Sequence, residues 1–389
     1  MHFELSDEQI TIQNAIRDFA REEIVPHVLE YDENKQFPAH LIAKMGELGL
    51  LGVFFPEEYG GAGMGYAEYA IILEEISAAD PSIGLTVAAH NSLGSNHIFM
   101  FGSDAQRRRF MPRLTSGETL AAWALTEPGG GSDAFGLKTT ARKVGDHWIL
   151  NGSKTFITNP NYADYTVVMA RTNPEKGKAG ISAFVVEKGT PGYSVGAPMN
   201  KLGMRASDTA ELFFEDCAVP EANLLGKEGE GYFNSLRILD GGRISIAAMS
   251  VGVARGAFEH AVRYAQERSA FGKQIAQFQA IKIKIADMAT KIDAARLLVF
   301  RAAALKDQGK EPILEATMAK LFASEVAMEV SNEAVQIFGG YGFIKEYPVE
   351  KYYRDAKLGT IGEGTSEILR LVIARDVVKK YALLEAETA

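Results

Sequence analysis

Tyr165-Thr166-Val167-Val168-Met169 and Ile181-Ser182-Ala183-Phe184-Val185-Val186 are short runs rich in β-branched and aromatic residues. Asn173-Pro174 separates them, and Lys188-Gly189-Thr190-Pro191-Gly192 closes the second. Stiff, branched side chains bounded by turn residues predict strands. Trp148-Ile149-Leu150 before them, with Asn151-Gly152-Ser153 behind it, and Leu212-Phe213-Phe214 after them repeat the texture. The middle of the chain, from about Leu120, therefore reads as an antiparallel sheet domain.

On both sides the period changes. Ser6 and Gln9 form a capping-box pattern, and Ile12, Ile16, Phe19, Ala20 and Ile24 follow at helical spacing up to Pro26. Leu41, Met45 and Leu48 continue that period, and Ala70, Ile71, Leu73 and Ile76 predict a buried helix before Pro81. After Gly231, the stripe Ile281, Ile285, Met288, Ile292, Ala295 and Val299 predicts a long helix. The order α, β, α is an α+β layout: a helical bundle carrying a small barrel or sandwich, divided near residues 1–120, 121–230 and 231–389.

Composition narrows the function. A 389-residue chain with 47% hydrophobic and 23% charged residues has material for two or three ordinary domains. Its net charge of −9 opposes nucleic-acid binding, which rests on clustered cations. Cys217 is the only cysteine, which excludes an intrachain disulfide and a cysteine-built metal site; no metal is expected. The start, Met1-His2-Phe3-Glu4-Leu5-Ser6, has neither a secretory nor a transit pattern, and no apolar run is long enough to span a membrane. The expectation is a soluble chain beginning near Met1, cytoplasmic or, for a mature eukaryotic chain, in the mitochondrial matrix.

Several segments could carry chemistry. Leu125-Thr126-Glu127-Pro128-Gly129-Gly130-Gly131-Ser132-Asp133 offers bare backbone N–H groups to a phosphate or ring carbonyl, or is merely a hairpin turn. Arg268-Ser269-Ala270-Phe271-Gly272-Lys273 and Gln336-Ile337-Phe338-Gly339-Gly340-Tyr341-Gly342 could face an anionic cofactor or simply cap helices. In Gly362-Glu363-Gly364-Thr365-Ser366-Glu367, Thr365 or Ser366 suits a helix N-cap and Glu367 its first turn. Capping does not account for Glu363. Flanking glycines instead let a loop carry its carboxylate close to a ligand.

These motifs, with Phe156-Ile157-Thr158-Asn159, occur in an order that resembles the acyl-CoA dehydrogenase family along nearly the whole chain. The resemblance implies a helical N-terminal domain, a β middle domain and a C-terminal four-helix bundle, with noncovalent FAD between the last two and across a subunit boundary. It implies that Trp123, Leu125, Thr126, Gly131 and Ser132 face the flavin and its ribityl chain, while Phe156 and Thr158 cover the ring. Arg268, Phe271, Gln336, Gly339 and Gly340 would reach the pyrophosphate and adenosine of a neighbouring subunit's FAD, with Thr365 and Glu367 completing that site. Asp240 and Arg243, with Ser132 and Gly364, would contact the acyl-CoA. Two positions depart from the pattern: Phe156 stands where the family usually has Trp, and Gly362 where it has an aromatic residue.

The implied reaction is α,β-dehydrogenation of a short- to medium-chain or branched acyl-CoA to a trans-2-enoyl-CoA, as in fatty-acid β-oxidation or branched-chain amino acid catabolism. Glu363 is the implied base for the α proton, and the β hydrogen leaves as hydride to flavin N5. Its pKa should rise towards the working pH as substrate expels water. Some relatives place the base near Asp240 to Arg243 instead, where this chain has Gly241 and Gly242. The nearest subgroup is the short-chain and short/branched-chain, butyryl-CoA dehydrogenase-like members. Electrons would pass to an electron-transferring flavoprotein, and the assembly would be a homotetramer built as a dimer of dimers. Two alternatives are an acyl-CoA oxidase and a non-catalytic helical interaction protein on the same scaffold.

Overall fold

The computed structural model describes residues 4–387 and, within the last helix, side chains as far as Ala382. Met1 to Phe3, which carry the start of the N-terminal reading, lie outside the described residues. Among the described residues seven α-helices come first: α1 (Asp7–Phe19), α2 (Val28–Asn34), α3 (His40–Glu47), α4 (Tyr66–Ala79), α5 (Pro81–Ala89), α6 (Asn96–Phe101) and α7 (Asp104–Thr115). Eight strands follow: β1 (Leu120–Ala124), β2 (Thr140–Val144), β3 (His147–Thr158), β4 (Ala163–Arg171), β5 (Ile181–Glu187), β6 (Tyr193–Val195), β7 (Thr209–Pro220) and β8 (Leu224–Leu225). The chain ends with α8 (Gly231–Glu267), a two-stranded hairpin of β9 (Ser269–Ala270) and β10 (Lys273–Gln274), α9 (Gln279–Asp307), α10 (Ile313–Phe338), α11 (Val349–Gly359) and α12 (Ser366–Glu387).

The Ser6–Gln9 capping box is present, with both reciprocal bonds made, and it starts α1. The expected stripe on α9 is the buried one, through Met288, Ile292, Ala295 and Val299. The α+β class holds, but the sheet is mixed rather than antiparallel. Its order is β6-β7-β3-β2-β4-β5-β8, with β1 beside β4 and parallel to it, and β2 touching β4 in the same sense. Strand composition reports burial and not direction; β1 enters from the N-terminal helices and leaves by a long loop, so no hairpin forces it to run against its neighbour.

Strand β3 slips register against β7 between Lys154 and Ile157. Phe156 lies within that slip with φ +57°, and the residue is 69% exposed. A bulge of this kind re-aims one side chain out of the ladder, at the cost of a left-handed backbone in a bulky residue.

Charged groups tie the three parts together. Lys351 of α11 is buried between Asp80, at 2.9 Å, and Asp355, at 2.6 Å. Asp80 also caps α5 through the Ser82 N–H, and Asp355 accepts from the Met204 N–H in the β segment. A second cluster runs through α4, whose Glu74 and Glu75 are buried despite their charge. Arg255 reaches both, at 2.9 and 2.7 Å, while Arg296 pairs with Glu74 and Arg17 with Glu75, each at 2.8 Å. Buried carboxylates persist only when paired in this way. Among the described residues no helix is long and apolar enough to cross a membrane.

Candidate active site

The loop after β1 is shaped by one buried ion pair. Lys154 of β3 is fully buried, and its ammonium donates to Glu127 at 2.8 Å and to the Leu125 carbonyl at 3.2 Å. Glu127 in turn accepts the backbone N–H groups of Lys138, at 2.6 Å, and Thr139, at 2.9 Å. Burial pulls Lys154 down to about 8, and Glu127 opposes that pull. The Thr155 N–H donates to the Thr126 carbonyl at 3.0 Å, which brings β3 and the loop together. Trp123, Leu125, Thr126, Phe156 and Thr158 thus share one end of the sheet.

From there the chain swings out through exposed Gly131 and Ser132, whose N–H groups make no hydrogen bond among the described residues. A Cβ added at neighbouring Gly129 would meet nothing within 4 Å. The Trp123 indole N–H donates to His97 Nδ1 at 3.0 Å. That bond requires an unprotonated Nδ1, and complete burial pushes the His97 pKa down to about 3, so the imidazole is neutral.

The second group forms where α8 ends. Phe271 sits at the tip of the β9–β10 hairpin with φ +51° and is 96% exposed. The Arg268 guanidinium lies over the Tyr341 ring at 5.4 Å, bringing the hairpin beside the exposed Gly339-Gly340 turn that follows Gln336. Gly339 caps α10 with φ +61°, so the capping reading is correct for it, yet no atom lies within 4 Å of an added Cβ there. No hydrogen bond among the described residues joins this group to the Leu125–Ser132 loop.

The third group surrounds Glu363. After α11 the Gly362 N–H turns back to the Leu358 carbonyl at 2.8 Å, and Glu363 and Gly364 then adopt φ of +50° and +96°. Thr365, not Ser366, caps α12, its hydroxyl accepting from the Ile368 N–H at 3.4 Å, and Glu367 is exposed in the first turn. The residue Glu363 as a whole is only partly buried, but its Oε2 is sealed from solvent and has no hydrogen-bond partner among the described residues.

That carboxyl rests against α8 at Gly242. A Cβ there would overlap Oε2 and come within 3.2 Å of both Glu363 Cδ and Leu93 Cδ2. One residue along α8, Gly241 faces the Tyr66 hydroxyl and the Asn96 amide. Burial raises the Glu363 pKa to about 7, against the pull of Lys320 and Arg243. The fold itself therefore provides dehydration expected to arrive with substrate. Arg243 is buried beside Asp240, at 2.7 Å, and also donates to Thr317 at 3.1 Å. A carboxyl that is dry and titrates near neutrality has the properties of a general base.

Sequence reasoning missed Glu127 and Lys154 as organisers of the loop, His97 behind Trp123, and Lys320 beside Glu363. Their charges and spacing match those of solvated surface residues. Only Glu127 lay inside a motif, where it could have been flagged.

This arrangement has counterparts. Residues 6–118, 122–217 and 229–378 match, in turn, the N-terminal, middle and C-terminal domains of acyl-CoA dehydrogenase. The chain belongs to the acyl-CoA dehydrogenase family. Among curated members, the mitochondrial short-chain specific acyl-CoA dehydrogenase of Mus musculus is 47% identical over 97% of this chain and 92% of its own length.

Solved members of the acyl-CoA dehydrogenase family superpose closely. Butyryl-CoA dehydrogenase from Megasphaera elsdenii gives a TM-score of 0.95 at 43% identity, covering 97% of this chain and 100% of that one. A chain from work on the electron transferring flavoprotein of Acidaminococcus fermentans gives 0.96 at 48% identity, covering 97% and 99%. An acyl-CoA dehydrogenase from Bacillus anthracis complexed with FAD gives 0.92 at 39% identity, covering 98% of this chain and 68% of that one. As an acyl-CoA dehydrogenase, the chain is an oxidoreductase.

Proposed function

We propose that this enzyme removes the α proton of a short-chain or short branched acyl-CoA with Glu363 and releases a trans-2-enoyl-CoA. The sealed, unpartnered Glu363 Oε2 against Gly242 carries the reading. A base must reach a weakly acidic α C–H, and at a pKa near 7 Glu363 is both substantially ionised at neutral pH and basic enough to accept the proton. The Glu363 N–H makes no hydrogen bond among the described residues, leaving it free to donate to the thioester oxygen as negative charge develops there.

FAD fits the residues present. Gly131 and Ser132 offer free N–H groups, and the bulged Phe156 turns an aromatic ring outward, where it can stack as the usual Trp would. Thr126, Trp123, Leu125 and Thr158 lie at the same end of the sheet. When bound, FAD supplies the hydride acceptor for the β carbon. Asp240 and Arg243 would orient the CoA moiety, with Ser132 and Gly364 nearer the acyl group.

Arg268, Phe271, Gln336, Gly339 and Gly340, with Thr365 and Glu367, would hold a neighbouring subunit's FAD. The open surroundings of Phe271, Gln336, Gly339 and Gly340, and the lack of hydrogen bonds to the first group among the described residues, support a homotetramer arranged as a dimer of dimers. The likeness to the Acidaminococcus fermentans chain supports an electron-transferring flavoprotein as electron acceptor. The proposed domains are residues 1–120, 121–230 and 231–389.

The test is anaerobic stopped-flow flavin reduction by butyryl-CoA, with isobutyryl-CoA and hexanoyl-CoA as comparators. Glu363→Gln should lower the rate by at least ~10²–10⁴ while FAD stays bound, because an amide keeps the shape but cannot take the proton. Near-parental reduction by the variant would place the base elsewhere. Peroxide release with butyryl-CoA in air would make the enzyme an oxidase.

A further inference from the structure

Lys320 is a fully buried cation on a face of α10 whose other buried members include Ala316, Thr317, Ala319 and Ala323. An ammonium in such a setting is costly unless it is engaged. Its Nζ donates to the Gly364 carbonyl at 2.6 Å, the one hydrogen bond it makes among the described residues. That carbonyl belongs to the residue after Glu363, in the turn where both residues are left-handed.

We propose that Lys320 is a positioning residue for the base: it clamps the Glu363-Gly364 turn so that the Glu363 carboxyl rests on Gly242, and its charge sets the pH at which that carboxyl works. The inference rests on the reading of Glu363 as base. It concerns a different side chain, on a different helix, that reaches the reaction only through the turn.

The charge balance around Glu363 distinguishes Lys320 from its neighbours. The charged and titratable groups that face the carboxyl are Lys320 from α10, Arg243 from α8 and the Tyr69 phenol from α4. Arg243 already has a carboxylate of its own, Asp240 at 2.7 Å. Tyr69 is held neutral, because burial and then the nearby Tyr66 and Glu363 push its pKa well above the ordinary value. Among the described residues Lys320 has no ion-pair partner within bonding distance, and Glu363 is the one acid among them whose field supports its charge. Burial pulls its pKa down to about 8, so it is mostly protonated where Glu363 titrates.

The sign of the effect follows. An ammonium nearby favours the carboxylate, so removing it raises the Glu363 pKa, and proton abstraction then requires higher pH. A clamp adds a second effect that pH cannot restore, since a displacement of about 1 Å at a reacting group costs ~10²-fold in rate.

Three substitutions separate charge from clamp. Lys320→Arg keeps both, Lys320→Gln keeps a donor for the Gly364 carbonyl without charge, and Lys320→Met keeps neither. Each is assayed as FAD-loaded enzyme for flavin reduction by butyryl-CoA across pH, with KM and kcat measured separately and Glu363→Gln in parallel. The Gln variant should move the midpoint of the rising limb up by about one pH unit and recover kcat at alkaline pH. The Met variant should show the same movement and a kcat ~10–100-fold lower even at its plateau, with KM little changed. The Arg variant should stay near the parent.

An unmoved midpoint in Lys320→Gln overturns the electrostatic role, and a parental plateau in Lys320→Met overturns the clamp. Should Lys320→Met not retain FAD, the comparison of Gln with Arg still decides the electrostatic role, because both carry a donor for the Gly364 carbonyl and differ in charge. If Glu363→Gln itself reduces its flavin normally, the base assignment fails first. If it is inactive while all three Lys320 variants behave as the parent, the base stands and the role of Lys320 falls.

Discussion

Glu363 and Gly242 stand in contact across two separate parts of the C-terminal half: the carboxyl of one occupies the space where a side chain of the other would begin. Gly242→Ala should therefore displace the carboxyl rather than unfold α8, since alanine is the better helix former. Flavin reduction is expected to fall ~10²-fold with FAD content unchanged, as a displaced base would require. Flavin absorbance of the purified variant, followed by stopped-flow reduction, checks both halves. A parental rate would show that the carboxyl does not need that position.

The Glu363 pKa also makes a prediction about stability. Its folded value, about 7, lies above its ordinary 4.5, so between these the folded state holds more protons than the unfolded one and stability falls as pH rises. Glutamine removes this dependence. The stability of Glu363→Gln relative to the parent should shift in the variant's favour between pH 5 and pH 8, by at most about 3 kcal/mol. Urea unfolding of both proteins at the two pH values measures the shift. A difference that is constant with pH would contradict the dry carboxyl.

Lys154→Met should leave Glu127 buried without its countercharge. Breaking one side of a buried pair typically costs ~3–5 kcal/mol, and here the same bonds fix the Leu125–Thr126 backbone. The expected result is a lower unfolding midpoint together with weaker FAD retention on gel filtration. Loss of stability with undiminished FAD affinity would separate the pair from the cofactor loop.

Phe156→Gly should dissociate two properties that most substitutions lose together. Glycine adopts φ +57° freely, so relief of ~1–2 kcal/mol of left-handed strain offsets its greater unfolded-chain entropy. Apoprotein stability should stay within about 1 kcal/mol of the parent, whereas FAD should be released more readily because the exposed ring is gone. Flavin fluorescence on dilution, with thermal unfolding of the apoprotein, tests the pair of statements.

The architecture was legible where one physical signal dominates. Helical stripes such as Met288 to Val299 and the branched run at Tyr165 to Met169 are burial patterns, and burial is what composition records. Strand direction left no such trace, and the parallel β1–β4 pair went unread. In the site, Glu363 stood out because glycines flank it, a local anomaly needing no tertiary knowledge. Lys154 and Lys320 did not, and neither did the Glu74–Glu75 pair of the α4 cluster outside it. A buried charge and a solvated one look alike until the partner, often far along the chain, is placed beside it.

The Asp80–Lys351–Asp355 knot bears on how the molecule comes apart. Lys351 is held from one side by the turn between α4 and α5 and from the other by a carboxylate that also grips Met204 of the β segment. Loosening any one segment strands a charge in a dry interior belonging to the other two. Partial unfolding is thereby penalised at its first step, and the three segments should melt as one cooperative unit. Calorimetry would then record a single transition, and Lys351→Met would split or broaden it before abolishing the fold.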